Sequence, residues 1–202
     1  MKSFFDNMEP WRKPEGSLHL YVLPLDQDRD RFASAQEALT GIDDLPLMPA
    51  SYLHCTVARL AQFDEDVTQA DYTRLGDALQ ELCAGLNPFK LDFGPPQADD
   101  DAVGCWASVS KDWDALVEGC RRTVITAWGT EPPPPPVAPH LSLAYAKASV
   151  DSDLVAARLA EAQALGAVRV RTLHLVSVTV RPQRGTFDFT ELANWDLGHE
   201  PR

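Results

Sequence analysis

Two short segments, far apart in the chain, carry the same pattern and limit what it can fold into. The first is Tyr52-Leu53-His54-Cys55-Thr56-Val57-Ala58 and the second is Pro139-His140-Leu141-Ser142-Leu143-Ala144. Each holds a histidine, one apolar residue and a hydroxyl residue inside an apolar run, and the copies lie 86 positions apart (140 minus 54). Such runs read as strands. Alternate side chains of a strand share a face, so His54 goes with Thr56 and His140 with Ser142. A polar group placed twice on a buried face costs stability unless it is satisfied or used. Set side by side, the two strands present two imidazoles and two hydroxyls to one cleft. That set suits acid–base chemistry on a phosphate ester: one imidazole takes a proton, the other gives one, and the hydroxyls hold the phosphoryl oxygens.

The 202 residues suffice for one substantial core, or one domain of two lobes. No stretch approaches the roughly 20 apolar residues of a membrane helix. The opening MKSFFDNMEPWRKPEG has no apolar signal core, so a cytoplasmic location is expected. Four cysteines, Cys55, Cys83, Cys105 and Cys120, show no CxxC pair and read as buried free thiols of a reducing compartment. The net charge of −12 argues against an extended nucleic-acid surface and leaves room for a small phosphorylated ligand in a locally basic pocket. No membrane partner is expected, and the chain is expected to be a monomer.

Along the chain, strands are expected over 17–25, 53–60, 89–94, 102–110, 140–145, 168–180 and 186–190. Helices are expected over 26–40, 68–83, 113–128 and 151–165. The prolines Pro132 to Pro136 read as a stiff extended connector that delivers the second motif strand, with docking to a partner as the other use. Strand–helix–strand units recur in both halves. The expected fold is therefore α+β, a single bilobal domain over residues 1–202. Lobe one spans about 17–95 and lobe two about 96–196, each a mostly antiparallel sheet with outer helices, and the active-site groove lies between the sheets.

With both motifs in view, the chain resembles the two-histidine phosphoesterase superfamily. That superfamily includes the bacterial 2′-5′ RNA ligases, or RNA 2′,3′-cyclic phosphodiesterases. Its two H-x-[ST]-x motifs, each followed by an apolar residue, are matched by His54-Cys55-Thr56-Val57 and His140-Leu141-Ser142-Leu143. The likeness spans roughly Ser17 to Asp196; the leader and the proline run depart from it. It implies a metal-independent phosphodiesterase without cofactor, acting on RNA-type 2′,3′-cyclic phosphates or 2′-5′-linked nucleotides. One histidine would deprotonate water, the other would protonate the leaving ribose oxygen, and Thr56 and Ser142 would bond the non-bridging oxygens. The residues leave open which histidine does which. Both are expected near the usual histidine pKa. The alternative is a non-catalytic nucleotide-binding module on the same fold; the presence of all four motif residues favours the enzyme.

Candidate substrate-binding residues are Tyr145, Arg181, Arg184 and Tyr21. Under strict alternation Tyr145 faces away from His140 and Ser142 and reaches a ligand only if the strand ends or twists there. Arg181 and Arg184 sit in the turn RPQRG, where they could cover the site. Tyr21 and Trp106 could stack on a base. Arg59 is expected to face away, and His19 and His174 lack a hydroxyl two residues on and read as structural. No HExxH, phosphate-loop or GxSxG motif occurs, and no Cys/His set has zinc spacing.

Overall fold

Local chemistry sets the ends of the helices. Thr68 and Asp71 form a reciprocal capping box at the start of one helix, Ser110 accepts from the Trp113 amide at the start of the next, and Asp151 caps a third. Gly129 closes the second with a left-handed turn, φ 69°. The computed structural model describes residues 1–135 and 138–198, so Pro136, the last of the proline run, lies outside them. The elements are α1 (Phe4–Asn7), β1 (Ser17–Val22), α2 (Asp26–Glu37), β2 (Cys55–Phe63), α3 (Gln69–Ala84), β3 (Phe89–Phe93) and β4 (Gln97–Ala98). Then come β5 (Ala102–Trp106), α4 (Lys111–Trp128), β6 (His140–Tyr145), α5 (Ser152–Leu159), β7 (Gly166–Val170), β8 (Thr172–Arg181) and β9 (Thr186–Asp196).

The class is α+β. A seven-stranded sheet runs β4-β5-β6-β2-β1-β8-β9, and β3 pairs with β7 in a second, small sheet. The strand pairings are antiparallel. The motif strands β2 and β6 are neighbours, joined through one pair, Cys55–Leu141. The two halves of the sheet therefore meet at the motif strands. β8 and β9 come from after residue 96 yet pair beside β1, so the sheet interleaves segments 17–95 and 96–196.

Helices α3 and α4 pack on each other and on the sheet, α4 against β2 and α3 against β9. Leu75 and Leu79 of α3, Leu116 and Val124 of α4, and Leu18, Leu20 and Val57 of the sheet are fully buried between them. Each such side chain contributes roughly 2 kcal/mol. The other face of β1 is buried as well, because the chain before it folds back: Trp11 rests on His19, and Phe4 and Phe5 pack on Tyr145 and Phe187. The polar leader thus contains α1 and a cover for the sheet, which its short apolar pairs do not announce.

The strand expected over 102–110 ends at Trp106, that over 186–190 runs on to Asp196, and two further elements differ more deeply. The single strand over 168–180 is two strands in different sheets, broken at Arg171. Its apolar spacing slips there: Val168 and Val170 are two apart, but the next buried residue is Leu173. The helix expected over 151–165 stops at Leu159, where Ala160 is its C-cap.

Candidate active site

His54 directly precedes β2 and His140 opens β6. Cys55 pairs antiparallel with Leu141, so Thr56 stands across from His140 and His54 across from Ser142. Residues opposed in this way have Cβ atoms about 5 Å apart. The four motif residues therefore form one quadrilateral on one sheet face. Each imidazole is held alike: His54 Nδ1 lies 2.8 Å from the Tyr52 carbonyl oxygen and His140 Nδ1 lies 3.1 Å from that of Ala138. A carbonyl only accepts, so Nδ1 carries a proton in both rings and Nε2 faces the ligand, accepting in a neutral ring and donating in an imidazolium.

The two rings sit in different surroundings. Tyr21 lies flat on His54, with ring centroids 4.0 Å apart and planes 12° apart, and Phe189 meets the pair edge-on. This burial pushes the His54 pKa down to about 4; the bond to Tyr52 opposes the shift and the nearby His140 adds to it. The expectation of a near-ordinary value thus fails for His54, because an aromatic neighbour takes the place of water. Trp106 flanks His140, with ring centroids 6.4 Å apart.

A bulge follows each motif. The β1–β2 register slips at Val57, between the pairs Tyr21–Thr56 and Leu20–Ala58. The β5–β6 register slips at Leu143, between Gly104–Ser142 and Val103–Ala144. One extra residue reverses the alternation beyond it. Arg59 and Tyr145, each five residues past its histidine, are thereby turned onto the motif face. This corrects the expectation that Arg59 points away. Tyr145 shares that face but is 8% exposed under Phe4, Phe5 and Phe187; its phenol lies against the Ser142 hydroxyl, and burial raises its pKa to about 12.

A cleft of about 350 Å³ opens over this face. Thr56, Arg59 and His140 line it, with His19 and Phe187. Its remaining walls are Phe4, Met8, Glu9 and Trp11 from the leader and Pro134 and Pro135 from the proline run. Arg59 is its one cation among the described residues, and its Nη2 lies 2.9 Å from Glu9 Oε2. A larger hollow of about 500 Å³ lies beside α2, lined by Arg31, Ala35, Pro96 and Leu165 among others; it holds no histidine and no cysteine, whereas the smaller cleft holds two of the four motif residues, Thr56 and His140. Among the described residues no group of three or more His, Cys, Asp or Glu side chains converges as a metal site would require.

The remaining candidates are placed as follows. Tyr21 is 1% exposed and offers no face to a ligand; its hydroxyl lies 3.0 Å from His19 Nδ1 and sits beside the Thr56 hydroxyl. His19 Nε2 lies 3.1 Å from Ser17 Oγ. Full burial lowers the His19 pKa well below its usual value, so the ring is neutral, with one nitrogen donating and the other accepting. Arg181 and Arg184 are turned to Asp188, at 3.5 and 3.6 Å, and are absent from the cleft lining, because the hairpin turn places that carboxylate between them. His174 pairs with Glu191 at 2.8 Å. Sequence reasoning misses Glu9, Trp11 and the two prolines as site residues. The equal offset of Arg59 and Tyr145 from their histidines is the one signal in the sequence that they belong together.

The fold is shared with solved structures. The crystal structure of TT0787 of Thermus thermophilus is matched over 92% of this chain and 100% of that one, at 22% identity and a TM-score of 0.72. That of E. coli LigT in apo form is matched over 93% and 100%, at 14% identity and a TM-score of 0.65. E. coli LigT complexed with 3′-AMP is matched over 92% and 99%, at 15% identity and a TM-score of 0.66. No curated protein matches the chain in sequence. Among the described residues no helix is long and apolar enough to cross a membrane. The model of the 2′-5′ RNA ligase superfamily matches residues 29–181, which include both histidine motifs and both bulges, and the chain belongs to that superfamily.

Proposed function

We propose that the protein is a phosphodiesterase that opens RNA-type 2′,3′-cyclic phosphates or cleaves 2′-5′-linked nucleotides without a metal, using His54, His140, Thr56 and Ser142. The observation that carries this reading is the crossed pairing of the motifs, with Thr56 across from His140 and His54 across from Ser142. Each imidazole then has a hydroxyl beside it, so a phosphoryl group between them meets proton carriers and hydrogen-bond donors from both strands.

The environments divide the roles. With its pKa near 4, His54 is neutral at pH 7 and accepts a proton at Nε2. It takes one from a water whose oxygen attacks phosphorus. The bond from phosphorus to one ribose oxygen breaks, and that oxygen receives the Nε2 proton of His140, which enters the step as the imidazolium and leaves it neutral. Thr56 and Ser142 donate to the non-bridging oxygens as charge builds on them. That E. coli LigT has been crystallised with 3′-AMP supports a nucleotide as the ligand.

The test is hydrolysis of 2′,3′-cyclic mononucleotides and 2′-5′ dinucleotides in EDTA by the wild type, His54→Ala and His140→Ala. Cleavage by the wild type and loss in both variants is expected. Full turnover by His54→Ala on every substrate sinks the mechanism. Binding without cleavage moves the protein to the non-catalytic reading.

A further inference from the structure

Residues 1–15 lie outside the superfamily match at 29–181, yet they supply Phe4, Met8, Glu9 and Trp11 to the cleft. They form a fixed wall. The Lys2 amide donates to the Asp100 carbonyl at 2.7 Å, the Phe4 amide to Ala146 at 2.8 Å, and the Val180 amide to Pro14 at 2.7 Å. Trp11 is half-buried. Its indole leans on His19, with centroids 5.5 Å apart, and on Phe187, at 5.7 Å, and it lines the cleft with Pro134 and Pro135. The prolines are held in turn, since Arg121 donates to the carbonyls of Pro132 and Pro133. An aromatic side chain and two prolines thus give this cleft apolar walls, and an aromatic wall suits a planar ring system.

The charge in the cleft is spare. Arg59 is tied to Glu9, whose side chain is 76% exposed. An exposed pair of this kind is weak and gives way to a competing anion. One cation suits one phosphate, and a net charge of −12 repels a long polyanion. A volume of about 350 Å³ is at the small end of ligand sites.

We infer that Trp11 is the nucleobase platform of this cleft and that Arg59, released from Glu9, takes the phosphate, so the ligand is a single nucleotide unit. This rests on the proposed function for the reaction but not for the binding. Calorimetric titration with adenosine 3′-monophosphate and with inorganic phosphate tests it. In Trp11→Ala the nucleotide affinity should fall roughly tenfold, the scale of one stacked base, while phosphate affinity stays. Trp11→Phe should restore most of the nucleotide affinity. Glu9→Gln should tighten both ligands roughly twofold by freeing Arg59. Equal nucleotide affinity in Trp11→Ala and the wild type, a parallel loss of phosphate binding, or no nucleotide binding by the wild type overturns the platform. Unchanged affinities in Glu9→Gln overturn the tie. If these shifts appear and no phosphodiester is cleaved, the proposed function fails alone.

Discussion

Thr56 and His140 face each other across the one bridge pair that joins β2 to β6, and His54 and Ser142 repeat the relation on its other side. The hydroxyl of each motif thus stands across from the histidine of the other. In the proposed reaction, removing either hydroxyl takes away one donor to the transition-state oxygens. Thr56→Ala and Ser142→Ala should each lower kcat by about a hundredfold with a smaller change in KM, measured on a 2′,3′-cyclic mononucleotide.

In the proposed reaction, the flat contact of Tyr21 on His54 sets the pH behaviour. The base must be neutral, and burial holds its pKa at about 4. The acid limb of kcat/KM is expected near that value, well below the ordinary histidine range. A limb centred near 6.5, the usual histidine value, would take the base role from His54.

The same burial makes folding sensitive to acid. His19 and His54 both have folded-state pKa values below the unfolded value of about 6.5. Below pH 6.5 the unfolded chain binds protons that the native rings refuse. Their stabilising contribution is therefore complete above 6.5 and is lost as pH falls toward 4. The slope approaches about 1.4 kcal/mol per pH unit for each ring, reduced for His54 by the part of its surface that stays wet. Thermal melts should show Tm falling between pH 7 and pH 5, and less steeply in His19→Gln.

Tyr21→Phe keeps the stack on His54 and removes the hydroxyl that bonds His19 Nδ1. A buried ring nitrogen is left without its partner. A loss of about 1–2 kcal/mol in denaturant unfolding is expected. The acid limb should stay in place, because the stacked ring that excludes water is still there.

Gly185 turns the β8–β9 hairpin at φ +72°, and a Cβ there would overlap the Pro46 ring. Gly185→Ala should cost roughly 2 kcal/mol, from the left-handed backbone and the clash together. An unchanged Tm would show that the turn can relax away from Pro46.

The motif residues are legible in the sequence because each H-x-[ST] stands in an apolar run and needs only the period of a strand to place its hydroxyl. Arg59 and Tyr145 are not, because one bulge residue reverses the period and nothing in Val57 or Leu143 marks a bulge. The depressed pKa of His54 is hidden for a related reason: Tyr21 lies 33 positions earlier (54 minus 21) and meets it only through strand pairing. The break at Arg171 is visible in the apolar spacing, which changes phase between Val170 and Leu173. Arg181 and Arg184 are misplaced by sequence reasoning because Asp188, across the hairpin, attracts both.

Among the described residues, the Cys55–Leu141 bridge is the one ladder pair between β2 and β6, and it lies at the centre of the proposed site. A ladder of many rungs would lock the two imidazoles at one separation. Here the separation of the two imidazoles rests on that one pair and on the bonds that hold Nδ1 of each ring to the Tyr52 and Ala138 carbonyls.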